Sequence, residues 1–175
     1  IDFMGRYFDE HMIQKVYSLN GPWRFCSDPN NLGENQNWFS KLPCSEKVTV
    51  PSVWNTQKGM LEYEGAAWYQ KDFYCDGGCV RLRFDAVMTK ADIWVDNVRL
   101  DAHYGGFCQF DRIINLDKGM HTLTVRADNS FDAHSVPQVN VDWYHYGGIP
   151  RGVAYEILKG ICVLNNHLNY ELSSD

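Results

Sequence analysis

Apolar residues at every second position dominate this chain. Val80, Leu82 and Phe84 alternate with Arg81, Arg83 and Asp85. Ala91, Ile93 and Val95 alternate with Asp92, Trp94 and Asp96, and Leu123 and Val125 with Thr122, Thr124 and Arg126. Successive side chains of a strand point to opposite faces, so each set is expected to bury one face and wet the other. Further strands are expected at 23–27, 47–50, 68–75, 103–110 and 153–159.

Turn residues separate these runs. Asp76-Gly77-Gly78, Asp96-Asn97 leading into 98–100, and Asp117-Lys118-Gly119 all tolerate the backbone angles of tight hairpins. No helical pattern long enough for a crossover lies between strands. The expected fold is therefore all-β: an antiparallel sandwich or barrel rather than a parallel βαβ sheet. One short helix is expected near 34–41, with Trp38 and Phe39 packed inward, and a further helical turn at 14–18. The stretch 51–68 reads as a long loop, which in a compact domain usually has a function or packing of its own.

Composition narrows the class. A chain of 175 residues with 45% hydrophobic and 22% charged residues is a single folded domain of ordinary make-up. Sixteen Lys and Arg against 22 Asp and Glu give a net charge of -6, with the basic residues scattered, so no nucleic-acid partner is expected. Apolar runs reach only four residues, at 66–69 and 161–164. A membrane span takes about 20, so no membrane partner is expected. No signal peptide is visible, and a cytoplasmic location is expected, with secreted or periplasmic ones left open. The chain opens on Ile1 and is expected to be a processed or excised piece. Cysteines 26, 44, 75, 79, 108 and 162 match no zinc pattern. Cys75 and Cys79 bracket a turn and could pair, but two reduced cysteines are the preferred reading, because a core this large does not need staples.

Signatures of chemistry are mostly missing. There is no Gly-x-Ser-x-Gly elbow, no His-Glu-x-x-His and no glycine-rich phosphate loop. The six histidines lie 11 or more residues apart, so surface or core roles are expected, and neither metal nor cofactor. One segment stands out, the run from Asp142 to Val153, DWYHYGGIPRGV. A carboxylate beside aromatic rings suits a sugar, whose C–H face stacks on rings and whose hydroxyls donate to the carboxylate. The residues alone fit equally a sandwich corner packed by aromatics, with Asp142 capping a turn.

Eight segments in order carry a resemblance. They run 18–25 (SLNGPWRF), 48–54 (VTVPSVW), 62–69 (EYEGAAWY), 83–87 (RFDAV), 91–97 (ADIWVDN), 104–107 (YGGF), 123–129 (LTVRADN) and 142–153. Together they resemble the N-terminal sugar-binding domain of glycoside hydrolase family 2, the family of β-galactosidases and β-glucuronidases. Asp96-Asn97 stands where the family has Asn-Gly, and Pro150 precedes Arg151 where His or Phe is common.

The resemblance implies a jelly-roll β-sandwich over 18–160, an N-terminal extension over 1–17, and the start of a linker or an immunoglobulin-like domain over 161–175. It implies a retaining β-glycosidase, whose mechanism needs two carboxylates about 5 Å apart. In the family both lie in a later (β/α)₈ barrel of about 250 residues, which this chain has no room for. The chain is thus expected to be non-catalytic, completing the substrate pocket of that barrel. Its expected partners are a β-glycoside sugar and the barrel, in a homo-oligomeric parent. By this resemblance Asp142 reaches the bound sugar, with Glu64, Tyr63 and Tyr146 as further sugar contacts. Arg151, Gly147, Gly148 and Trp143 are expected to shape the segment or its interface, and Trp94 to be a core or sheet-face residue. A stand-alone carbohydrate-binding module and a protein-interaction sandwich are the alternatives.

Overall fold

The computed structural model describes residues 15–44, 46–133, 135, 142–164 and 169–171. Among them are twelve strands. They are β1 (Val16–Ser18), β2 (Gly21–Asp28), β3 (Glu46–Val50), β4 (Ser52–Val53), β5 (Ala66–Cys75), β6 (Gly78–Phe84), β7 (Lys90–Val95), β8 (Val98–Tyr104), β9 (Phe110–Leu116), β10 (Gly119–Asp128), β11 (Gly148–Ile149) and β12 (Val153–Leu158). A single 3-10 turn covers Trp54–Thr56.

Two antiparallel sheets face one another, a four-stranded one in the order β1-β12-β6-β9 and a six-stranded one in the order β3-β2-β5-β10-β7-β8. The pair β4 and β11 forms a small third sheet. This is the all-β sandwich expected. Its centre is the ten-residue pairing of β5 with β10, from Gly119 opposite Cys75 to Asp128 opposite Ala66. The inward sets meet between the sheets: Val80, Leu82, Phe84, Val153 and Tyr155 from one, Phe25, Tyr69, Leu123 and Val125 from the other. Asp96 and Asn97 both take positive φ, 48° and 70°, as a two-residue hairpin turn requires.

The expectation of one wet face per strand fails on β10. Thr124, Arg126 and Asp128 are buried along with Leu123 and Val125. Residues 29–44 fold back over the outer face, where Trp68 and Trp94 join Cys26 and Leu42 in a second core, flanked by Trp38 and Phe39. Asp28 anchors this excursion: its carboxylate accepts from Leu32 N and Gly33 N, both at 2.8 Å, and from Trp68 Nε1 at 2.9 Å. Arg126 closes it, donating to Asn31 Oδ1 at 2.7 Å while pairing with Asp92 and Asp128. Trp94 is thus a sheet-face residue under cover.

Four more expectations need correction. Residues 103–110 are not one strand: β8 ends at Tyr104, Gly105 turns the chain with φ 137°, and β9 begins at Phe110. Residues 34–41 form consecutive turns rather than a helix, because Asn37 takes φ 56° and Trp38 N bonds back to Gly33 O at 2.9 Å. Residues 16–18 pair with β12 as a strand; Gln14 lies outside the described residues. The chain also carries a staple: Cys26 is bonded to Cys44, with Cα atoms 5.7 Å apart, while Cys75 and Cys79 are free. Cys26 on β2 and Cys44 after the excursion are brought together by the fold-back over the sheet, which local spacing does not reveal.

Candidate functional site

At the end of the sandwich where β5 begins and β10 ends, two loops meet: 54–65, and the segment that starts at Asp142. Gly147 and Gly148 bind them together. A Cβ on Gly147 would fall 1.9 Å from the Trp54 ring, so only glycine fits against that buried indole. Gly148 has φ 118°, a region open to glycine. Ring contact is reinforced by backbone bonds, Trp54 N to Gly147 O at 3.0 Å and Met88 N to Gly148 O at 2.9 Å. Glycine pairs at this spacing are therefore a steric demand, and the adjacent residues 142–146 are held up at the surface.

Two asparagines complete the clamp, and sequence reasoning assigned neither a role. Buried Asn55 accepts from Gly147 N at 2.9 Å and donates to Leu61 O at 2.8 Å. Asn129 is fully buried and accepts from Gly65 N at 2.9 Å, and its own N–H donates to Gly65 O at 3.2 Å. His145 bonds the Asn129 carbonyl through Nε2 and stacks on Phe131 at 4.0 Å. Asn129 ends the quoted segment 123–129 and Asn55 follows 48–54, so a polar residue closing an apolar strand was the available signal.

The expected sugar contacts divide. Tyr63 is half-buried; its ring meets Trp54 edge-on at 5.7 Å and its hydroxyl donates to Ala66 O at 2.5 Å. Burial pushes its phenol up to about 12. Glu64 is exposed and, with Leu61, Glu62, Tyr63, Tyr144 and His145, lines a shallow pocket of about 90 Å³. The Tyr144 hydroxyl donates to Leu61 O across this pocket. Its phenol is raised above the ordinary value by desolvation and then by the Glu62 charge. Tyr146 is exposed, with its ring 5.0 Å from that of Tyr144. Asp142 is exposed at the start of the segment. Trp143, 57% exposed, borders a crevice shared with Met88 and Phe107. Arg151 lies apart from the pocket and donates to Phe107 O at 3.4 Å. The end of the sandwich thus offers exposed rings beside three carboxylates on a braced backbone. No group of metal-ligating side chains occurs among the described residues, and no helix there is long and apolar enough to cross a membrane.

Residues 16–64 match the family model for the sugar binding domain of glycosyl hydrolases family 2. A β-glucuronidase from Bacteroides fragilis is 30% identical over 164 residues, covering 87% of this chain and 22% of its own length. A β-glucuronidase from Paenibacillus borealis is 24% identical over 182 residues, covering 87% of this chain and 30% of its own. Over these residues the chain is similar to the sugar-binding domain of glycosyl hydrolase family 2. The fold of the chain is also that of a solved β-glucuronidase from Ruminococcus gnavus in complex with D-glucuronic acid. The TM-score is 0.79 at 22% identity, over 85% of this chain and 30% of that one. The chain spans only 18% to 31% of the length of the curated relatives it matches.

Proposed function

We propose that this chain serves a retaining β-glycosidase of the β-glucuronidase and β-galactosidase kind, as a non-catalytic sugar-binding domain that completes the substrate pocket of a separate (β/α)₈ barrel. The observation that carries the reading is the braced tip, where Gly147 seated on Trp54 holds Asp142, Trp143, Tyr144 and Tyr146 out at the surface. Rings and a carboxylate in that posture can stack on a pyranose and accept from its hydroxyls. Glu64 and Tyr146 are further contacts in this reading; half-buried Tyr63 supports the loops, and Arg151 ties the segment to Phe107.

The sugar-binding domain alone lacks the barrel carboxylates that retaining hydrolysis requires, so the purified chain is expected to leave chromogenic β-glucuronides and β-galactosides intact. In the full-length protein, Asp142→Ala is expected to lower kcat/KM by a factor on the order of 10², the loss of a charged hydrogen bond to substrate. An unchanged kcat/KM removes Asp142 from the pocket. Tight sugar binding by the isolated chain would favour a stand-alone carbohydrate-binding module instead. The Cys26–Cys44 disulfide supports an oxidising compartment rather than the cytoplasmic one expected from sequence.

A further inference from the structure

The outer face of the six-stranded sheet is only partly covered by residues 29–44. Beside that cover runs an open cleft of about 570 Å³, bordered by Arg24, Lys41, Leu42, Pro43, Gln70 and Thr122. A second recess of about 260 Å³ shares Arg24 and Gln70 and adds Lys47, Lys71 and Asp72. Volumes of this order are those of ligand clefts. Strand register sets Lys47 opposite Arg24, and Arg24 opposite Gln70, in one row across three strands spaced about 4.8 Å apart.

The cleft is built rather than incidental. Gln70 on its floor is 3% exposed; it accepts from Arg24 Nε at 3.2 Å and donates to Thr124 Oγ1 at 3.0 Å. Its wall is fixed by Thr124 donating to Phe39 O at 3.0 Å and by the disulfide at Cys44. The charge balance is local and unusual for a chain of net charge -6. Three cations, Arg24, Lys41 and Lys47, border the cleft and its recess with one carboxylate, Asp72, which Arg24 and Thr122 already occupy at 2.7 to 2.8 Å. Lys71 follows the other face of β5, opposite the core residue Leu123, and donates to Asn20 O and Pro22 O. Glu46 follows the opposite face of its strand by alternation, since it pairs with the core residue Phe25. Lys41 and Lys47 have no ion-pair partner among the described residues.

We propose that this cleft is a second carbohydrate site, for an acidic oligosaccharide carrying uronate carboxylates. Lys41, Lys47 and Arg24 supply the charge, Thr122 meets a hydroxyl, and Pro43 covers a C–H face, while buried Gln70 holds Arg24 in place from the floor. The site is separate from the tip. Gln70 lies four residues along β5 from Ala66, about 13 Å at 3.3 Å per residue, and the tip pocket lies beyond that. The choice of a saccharide rests on the glycosidase reading; the demand for an anion does not.

Calorimetry on the 175-residue chain tests this with a uronate hexasaccharide, its carboxyl-reduced neutral counterpart, inorganic sulfate and a single-stranded oligonucleotide. The uronate hexamer is expected to bind, and the neutral one at least tenfold more weakly. Lys41→Gln with Lys47→Gln is expected to weaken binding at least tenfold at unchanged Tm, both residues being exposed and without an ion-pair partner among the described residues. Asp142→Ala is expected to leave this binding untouched, which separates failure at the tip from failure here. Absent binding, equal affinity for the two hexamers, or no effect of the double substitution would overturn the proposal. Sulfate or oligonucleotide binding as tightly as the hexamer would overturn it too.

Discussion

Gly147 and Trp54 touch so closely that the indole occupies the space of the missing side chain, with the nearest ring carbon 1.9 Å from an ideal Cβ. This contact is what lifts residues 142–146 off the sandwich. Gly147→Ala is therefore expected to push the segment away or tilt Trp54, costing about 1–3 kcal/mol as overpacked sites do. Thermal unfolding measures the loss. Adding Trp54→Phe should recover part of it, and no recovery would mean that the strain lies elsewhere.

Asn129 bridges the Gly65 and His145 loops from a fully buried position. Asn129→Leu leaves the Gly65 amide without its side-chain acceptor, at an expected cost of about 1–3 kcal/mol. Faster hydrogen exchange at Gly65, compared with the centre of β10, is the specific signature.

The Cys26–Cys44 bond spans 18 residues and clamps the excursion to β2. A loop of that order constrains the unfolded chain by about 3 kcal/mol. Cys26→Ala with Cys44→Ala should lower Tm accordingly, and dithiothreitol should do the same to the wild type but not to the double variant.

His121 donates from Nδ1 to Asp96 at 2.5 Å and from Nε2 to the Asp117 carbonyl at 2.8 Å, which only the imidazolium can do at once. Burial opposes the charge, but the bonds to Asp96 and Asp117 outweigh it and raise the folded-state pKa. Its contribution to stability is therefore complete below the ordinary value of about 6.5 and lost as pH rises through the higher folded value. Tm measured from pH 5 to 9 should fall across that window, and His121→Gln should flatten the profile.

Strand alternation at 80–85 and 91–96 carried the fold, because a period of two is a local property of the backbone. Asp96-Asn97 was legible as a turn for the same reason. The helical reading of 34–41 failed because Gly33, at its start, is held by Asp28 against the indole of Trp68, which lies 40 residues beyond Asp28. Residues 103–110 failed because Gly105 breaks the strand where Gly106 must pass close to Met88. At the tip, the segment 142–153 was visible as a cluster of residue types. The amides of Asn55 and Asn129 were not, since their partners sit 92 and 64 residues away.

The order of apolar and polar residues determined antiparallel strands and the hairpin turns between them, because pleat and turn sterics act between neighbours. Tertiary structure alone decided that β10 is covered on both faces, that Cys26 meets Cys44, and that Lys41 joins Arg24 and Lys47 beside one outer cleft. Those outcomes depend on the path of residues 29–44 across the sheet, a long-range packing choice that no local pattern encodes.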